Sequence, residues 1–164
     1  MNQLPDFLRT EIWHPLSVHF PIALLLAGTL FVIIGALLKR HGLTGNGYLL
    51  ILLGTVGAWI AVFTGNLADG VVSRELCDPT VLERHENGGK VVAWVFTVAS
   101  LVVGLLYFRV LERFKKSLFA GTILLLLLGT GFLLYTGHLG AQLVYQQAAG
   151  VYTPSEDCLE FVED

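Results

Sequence analysis

Four uninterrupted apolar stretches, residues 16–38, 48–67, 91–108 and 118–135, decide what this chain can become. Each holds roughly 18 or more residues with no acid or base, and a helix rising ~1.5 Å per residue needs about 20 to cross the ~30 Å hydrocarbon layer. In lipid the backbone must satisfy its own hydrogen bonds, so the stretches read as helices and not as strands. With 54% apolar and 14% charged residues, a chain of 164 residues carries more apolar surface than a soluble domain of that size can bury. The expected fold is an all-α integral membrane protein, an antiparallel four-helix transmembrane bundle. One domain, 1–164, would hold spans at about 15–38, 48–67, 80–112 and 118–146, with an outward-facing tail over 147–164.

Charge sets the expected orientation. Lys39 and Arg40 follow the first span, and Arg109, Arg113, Lys115 and Lys116 lie between the third and fourth, with Glu112 the one acid among them. The opposite face has Arg9, Arg74, Arg84 and Lys90 but most of the acids, from Asp6 and Glu11 to the tail ending at Asp164. Lysine and arginine mark the cytoplasmic side, so both termini are expected outside, in a bacterial inner membrane. An acidic outer face and a net charge of −3 argue against nucleic-acid binding. Trp13 and Tyr48 read as interfacial anchors. The first segment lacks the pattern of a cleavable signal peptide, so the first span is expected to stay in the membrane. Cys77 and Cys158 fall on the outer side, where an oxidising compartment could bridge them; the sequence leaves that open. No Cys-x-x-Cys-His is present for covalent haem attachment.

A weak internal repeat accompanies the spans. Phe63-Thr64-Gly65-Asn66-Leu67-Ala68 closes the second, and Tyr135-Thr136-Gly137-His138-Leu139-Gly140 closes the fourth. His14 and His85 precede spans one and three at nearly the same offset. Two helical hairpins related by a pseudo-twofold along the membrane normal would account for both matches. Gly54, Gly57, Gly129, Gly131, Gly137 and Gly140 remove side chains where backbones or a flat ligand could approach. Ala141–Val151 has no charge and reads as an amphipathic continuation of span four at the interface.

Histidine is the notable polar residue. His14, His19, His85 and His138 all fall near the outer ends of spans, whereas His41 sits beside Lys39 and Arg40 at the other face and reads as solvated. Ionisable residues in membrane helices usually face the bundle interior and serve function. Histidines projecting inward from facing helices are the usual scaffold for non-covalent haem. His14-Pro15 reads as a cap followed by a first helical residue, and Asp78-Pro79 likewise opens span three, placing His85 about two turns in.

The stretch His14-Pro15-Leu16-Ser17-Val18-His19-Phe20-Pro21-Ile22-Ala23-Leu24 resembles the signature of a widespread bacterial family of four-span membrane proteins, domain of unknown function 2231. His85 followed by Gly88, and the closing Gly137-x-Leu139-Gly140-x-x-Leu143-Val144-Tyr145, resemble the same family. Many relatives have tryptophan at the position of His138, and those with histidine resemble versions found beside c-type cytochrome or Rieske modules. That resemblance implies an electron-transfer setting.

Together these features predict a haem-b-binding electron-transfer module or accessory subunit, more so than a stand-alone enzyme. His19 and His85 are the leading axial pair because spans one and three are diagonal in an up-down-up-down bundle. His14 replaces His19 if the pseudo-twofold governs ligation. His138 would be a donor behind the ligands, a propionate partner or a ligand of a second centre, and Arg84 and Lys90 are further propionate partners. Expected partners are the lipid bilayer and a periplasmic c-type cytochrome, a Rieske-type protein or a larger membrane complex. The alternatives are a copper or zinc site without redox function, or a structural or quinone-interacting subunit of a respiratory or photosynthetic complex. No nucleophile motif or phosphate-binding glycine loop is found.

Overall fold

In the computed structural model, which describes residues 9–151, the chain forms α1 (Thr10–Leu37), α2 (His41–Val72), α3 (Pro79–Tyr107) and α4 (Lys115–Gln147). A 3-10 turn at Glu112–Phe114 leads into α4, and no strand occurs among the described residues. All four helices are long and apolar enough to cross a membrane. Alternation brings the start of α1, the end of α2, the start of α3 and the end of α4 to one end of the bundle, here the termini end.

The helices outrun the apolar stretches. α1 begins at Thr10 with Arg9 as its N-cap, so His14 lies inside the helix and not at its cap. Glu11 in the first turn complements the positive end of the helix dipole and pairs with Arg9 at 2.8 Å, which favours helix ahead of Pro15. α3 starts as its sequence indicates: the Asp78 carboxylate accepts from the Thr80 N–H at 2.9 Å, with Pro79 in the first turn where its missing donor costs nothing. Those Thr80 hydrogen bonds hold the Asp78 carboxyl below the usual carboxylate range. A lowered folded pKa means the cap contributes above the carboxyl's ordinary value and is lost as pH falls through the lower folded one. The thermal midpoint in detergent should therefore decline on acidification through that window, and Asp78→Asn should flatten that part of the profile.

Both turns at the other end close the same way. Arg40 N–H bonds to Gly35 O at 2.8 Å and Lys39 N–H to Ala36 O at 3.2 Å; Val110 N–H bonds to Leu105 O at 3.1 Å and Arg109 N–H to Leu106 O at 3.4 Å. These are Schellman motifs, with Lys39 (φ 53°) and Arg109 (φ 55°) where glycine is usual. Tyr48, read from sequence as an interfacial anchor, packs against the core.

Packing follows a heptad seam. On α1, Pro21, Leu25, Gly28, Val32 and Gly35 are buried, and on α2 Gly47, Ile51, Gly54, Ala58, Ala61, Ala68 and Val72. Spacings of three and four, and of one full heptad from Ala61 to Ala68, keep one stripe facing the partner helix. Lipid offers helices no hydrophobic drive to associate, so close approach of small residues does that work. A Cβ on Gly47 would lie 2.8 Å from the Val32 backbone nitrogen, and one on Gly54 2.7 Å from Leu25. At mid-depth Leu25, Ile51, Phe96 and Leu126, one from each helix, are fully buried. Phe96 fills the space left by Gly129, where a Cβ would come within 2.8 Å of its ring.

The second hairpin repeats the first, in a register the sequence match does not show. Leu25 and Val32 on α1 correspond to Phe96 and Val103 on α3; Ile51 and Gly54 on α2 correspond to Leu126 and Gly129 on α4. Two cross-hairpin hydrogen bonds obey the same correspondence, Thr55 to Ser100 at 2.9 Å between α2 and α3, and Thr130 to Thr29 at 3.4 Å between α4 and α1. The α3–α4 connection, residues 108–114, is four residues longer than the α1–α2 connection, residues 38–40. Equivalent positions are therefore offset by four more residues in the second helix of each hairpin than in the first. Gly65 corresponds to Gly140, so the aromatic-Thr-Gly match is displaced by about one helical turn.

Candidate functional site at the termini end

Two imidazoles meet on the bundle diagonal. His14, in the first turns of α1, and His85, in the second turn of α3, have ring centroids 5.9 Å apart with planes at 83°. Both are half-buried. They occupy the seam one heptad before Pro21 and Val92, so the stripe that packs each hairpin also turns its histidine inward.

Each ring is held by the second helix of its own hairpin, in the same manner. His14 Nδ1 lies 3.0 Å from Ala61 O, and His85 Nδ1 lies 3.0 Å from Thr136 O. A carbonyl only accepts, so both Nδ1 atoms carry hydrogen, and in the neutral ring Nε2 is the nitrogen with the lone pair. One turn beyond each carbonyl is a glycine. A Cβ at Gly65 would stand 3.2 Å from His14 Cε1, and one at Gly140 3.0 Å from His85 Cε1. The repeated unit is thus histidine, carbonyl and glycine, with each carbonyl four residues before its glycine. Such a carbonyl behind a ring is what orients a metal-ligating histidine and raises its basicity.

The surroundings of the two rings differ. Ser17 Oγ donates to His14 O at 3.0 Å and lies 2.8 Å from Thr64 Oγ1. Thr64 Oγ1 in turn is 3.1 Å from Ala61 O, the carbonyl that holds His14, and 3.5 Å from His14 Nδ1. On the other hairpin the corresponding positions are Gly88 and Leu139. There the Thr136 hydroxyl, buried and without a hydrogen-bond partner among the described residues, lies against Gly88, where a Cβ would come within 2.5 Å of it.

The other residues singled out in the sequence lie elsewhere. His19 is exposed on α1. At 3.6 residues per turn, the five positions from His14 carry it about 140° round the helix. His138 is exposed on α4, its Nε2 3.1 Å from Gln142 Nε2, two residues past Thr136 and therefore on the opposite side. Arg84 is exposed beside His85 in sequence but on another face of α3. Lys90 is 3.7 Å from Glu86, one turn back on its own helix. Cys77 is exposed between α2 and α3, while Cys158 lies outside the described residues, as does the rest of the tail beyond residue 151. Ser17, Thr64 and the carbonyls of Ala61 and Thr136 escape a sequence reading; their signal is the offset that pairs Gly65 with Gly140.

Among the described residues, no three His, Cys, Asp or Glu side chains come together to hold a metal ion. The family profile described as predicted membrane protein (DUF2231) matches residues 12–153, which takes in α1 from its third residue, the other three helices whole, and both His14 and His85. No curated protein and no solved structure matches the chain.

Proposed function

The chain belongs to the DUF2231 family of predicted membrane proteins, and we propose that within it the molecule is a haem-b-binding electron-transfer module in which His14 and His85 would hold the haem. The observation that carries this reading is the pair itself: two inward imidazoles on diagonal helices, each with Nδ1 bonded to a carbonyl. The 5.9 Å separation brings the two rings close enough to serve one shared group.

The donor set favours haem over a bare ion. Zinc takes three or four protein ligands. Two imidazoles fit a metal that brings its other donors, as haem iron does, and bound haem would supply one-electron transfer. The chain's own residues supply ligation, ring orientation through the Ala61 and Thr136 carbonyls, and an apolar sleeve beneath, headed by Leu25 and Phe96. His19, on the exposed face, is not part of this proposal. A spectrum of reduced against oxidised protein, after expression with haem supply, tests it: a sharp α-band supports the reading, and haem-free protein after reconstitution refutes it.

The basic residues at the helix turns support a cytoplasmic position for that end, which would set the haem near the outer face of a bacterial inner membrane. The electron partner there is a periplasmic c-type cytochrome, a Rieske-type protein or a larger membrane complex. An impermeant thiol label applied to intact spheroplasts after mild reduction should modify Cys77, exposed in the α2–α3 connection. Labelling of Cys77 only after the membrane is opened would reverse the orientation.

A further inference from the structure

We infer that Gly88 is a positioning residue for His85: its missing side chain lets Thr136 seat against α3, and the carbonyl of that same threonine holds the imidazole. Applied to haem, the inference rests on the haem reading; its statement about where the ring is held does not.

His85 and Gly88 are three residues apart on α3 and so share a face. One residue of α4 meets both. Thr136 O lies 3.0 Å from His85 Nδ1, while its side chain fills the place a Cβ on Gly88 would need, 2.5 Å from Oγ1 and 3.4 Å from both Cβ and Cγ2. A methyl group at position 88 therefore pushes on the residue whose carbonyl orients the ring. The conformation of Thr136 comes from this fit and not from a hydrogen bond. Thr97 and Thr122 donate to the carbonyl four residues back, Ala93 O at 2.7 Å and Leu118 O at 2.9 Å. The Thr136 hydroxyl is instead buried with no partner among the described residues. The first hairpin reaches the same result with the sizes exchanged. Ser17 and Ala61 stand where the second hairpin has Gly88 and Thr136, so the side chain that reaches across belongs to the first helix, with Ser17 Oγ 2.8 Å from Thr64 Oγ1. Ala61 O is again 3.0 Å from its imidazole. One small residue at each crossing, on either helix, keeps carbonyl and ring at that distance.

In protein expressed without haem, Gly88→Ala should move the ring-nitrogen NMR signals of His85 toward a weaker Nδ1 hydrogen bond while those of His14 stay in place. Gly89→Ala, where a Cβ would meet nothing within 4 Å among the described residues, should move neither. Gly88→Ser combined with Thr136→Ala gives the second hairpin the residues of the first and should return His85 to its wild-type signals. With haem supplied, Gly88→Ala should bind it about 10- to 100-fold more weakly, the range for groups behind a metal ligand, and the double variant should recover. A folded Gly88→Ala protein with unmoved His85 signals, in which Thr136 has turned aside, overturns the inference. So do His14 and His85 moving together, or a double variant that leaves His85 displaced. If Gly88→Ala does not fold, the double variant decides: wild-type His85 signals uphold the inference, and an unfolded protein overturns it. His85 signals displaced and then restored in a protein that takes up no haem uphold the inference and remove the haem reading. Unchanged haem affinity alongside displaced His85 signals overturns the role in haem binding.

Discussion

Replacing either His14 or His85 with alanine is expected to abolish the low-spin α-band and cut bound haem more than tenfold, while His19→Ala and His138→Ala leave both at wild-type level. Even groups behind a metal ligand are worth about 10- to 100-fold in affinity, so loss of the ligand itself should exceed that. The contrast with His19 makes the experiment decisive. All four histidines lie near the termini end, and depth alone does not separate them. Azimuth does: His14 and His85 share the inward stripe, whereas His19 and His138 are exposed. Haem stoichiometry by pyridine haemochrome, alongside gel filtration to confirm folding, reads the result. Retention of the band in His14→Ala, or its loss in His19→Ala, would displace the diagonal pair.

The second large effect is on assembly. Gly47→Leu should destabilise the protein by more than about 3 kcal/mol, above the usual 1–3 kcal/mol of overpacking and a large share of a typical 5–15 kcal/mol stability. The reason is what the new side chain meets. A Cβ at position 47 would lie 2.8 Å from Val32 N and 2.9 Å from Gly28 O, both backbone atoms that cannot swing aside. α1 and α2 must separate along the seam that also orients His14. Gly45→Leu is the matched control, two residues away on the same helix, where a Cβ would meet nothing within 4 Å among the described residues. Thermal denaturation in detergent should show a much lower midpoint for the first and a near-wild-type one for the second. Equal midpoints would mean that close α1–α2 contact at Gly47 contributes little.

Much of the architecture was legible without coordinates. Apolar length gives the four helices, because no other backbone arrangement satisfies its hydrogen bonds in lipid. The Asp78-Pro79 start of α3 was legible too, since a cap needs only its own neighbours. The start of α1 was not: His14-Pro15 has the form of a cap and first turn, yet Glu11 and its pairing with Arg9 accompany helix back to Thr10. The repeat was visible but in the wrong register. Local similarity picks up Thr-Gly in both hairpins, whereas the four extra residues between α3 and α4 shift which glycine faces which histidine.

The chain's own pattern of residues determined membrane insertion, helix number, the alternating topology and the concentration of histidines at one end. Each follows from composition along a stretch of chain, since burial in lipid and backbone satisfaction are decided stretch by stretch. Which histidines meet was decided only by tertiary packing. The glycine and alanine seams set the rotation and slide of each helix against its neighbour, and a ring five residues along the same helix is turned away by about 140°. Helical periodicity offers several inward faces, and only contact between helices selects one.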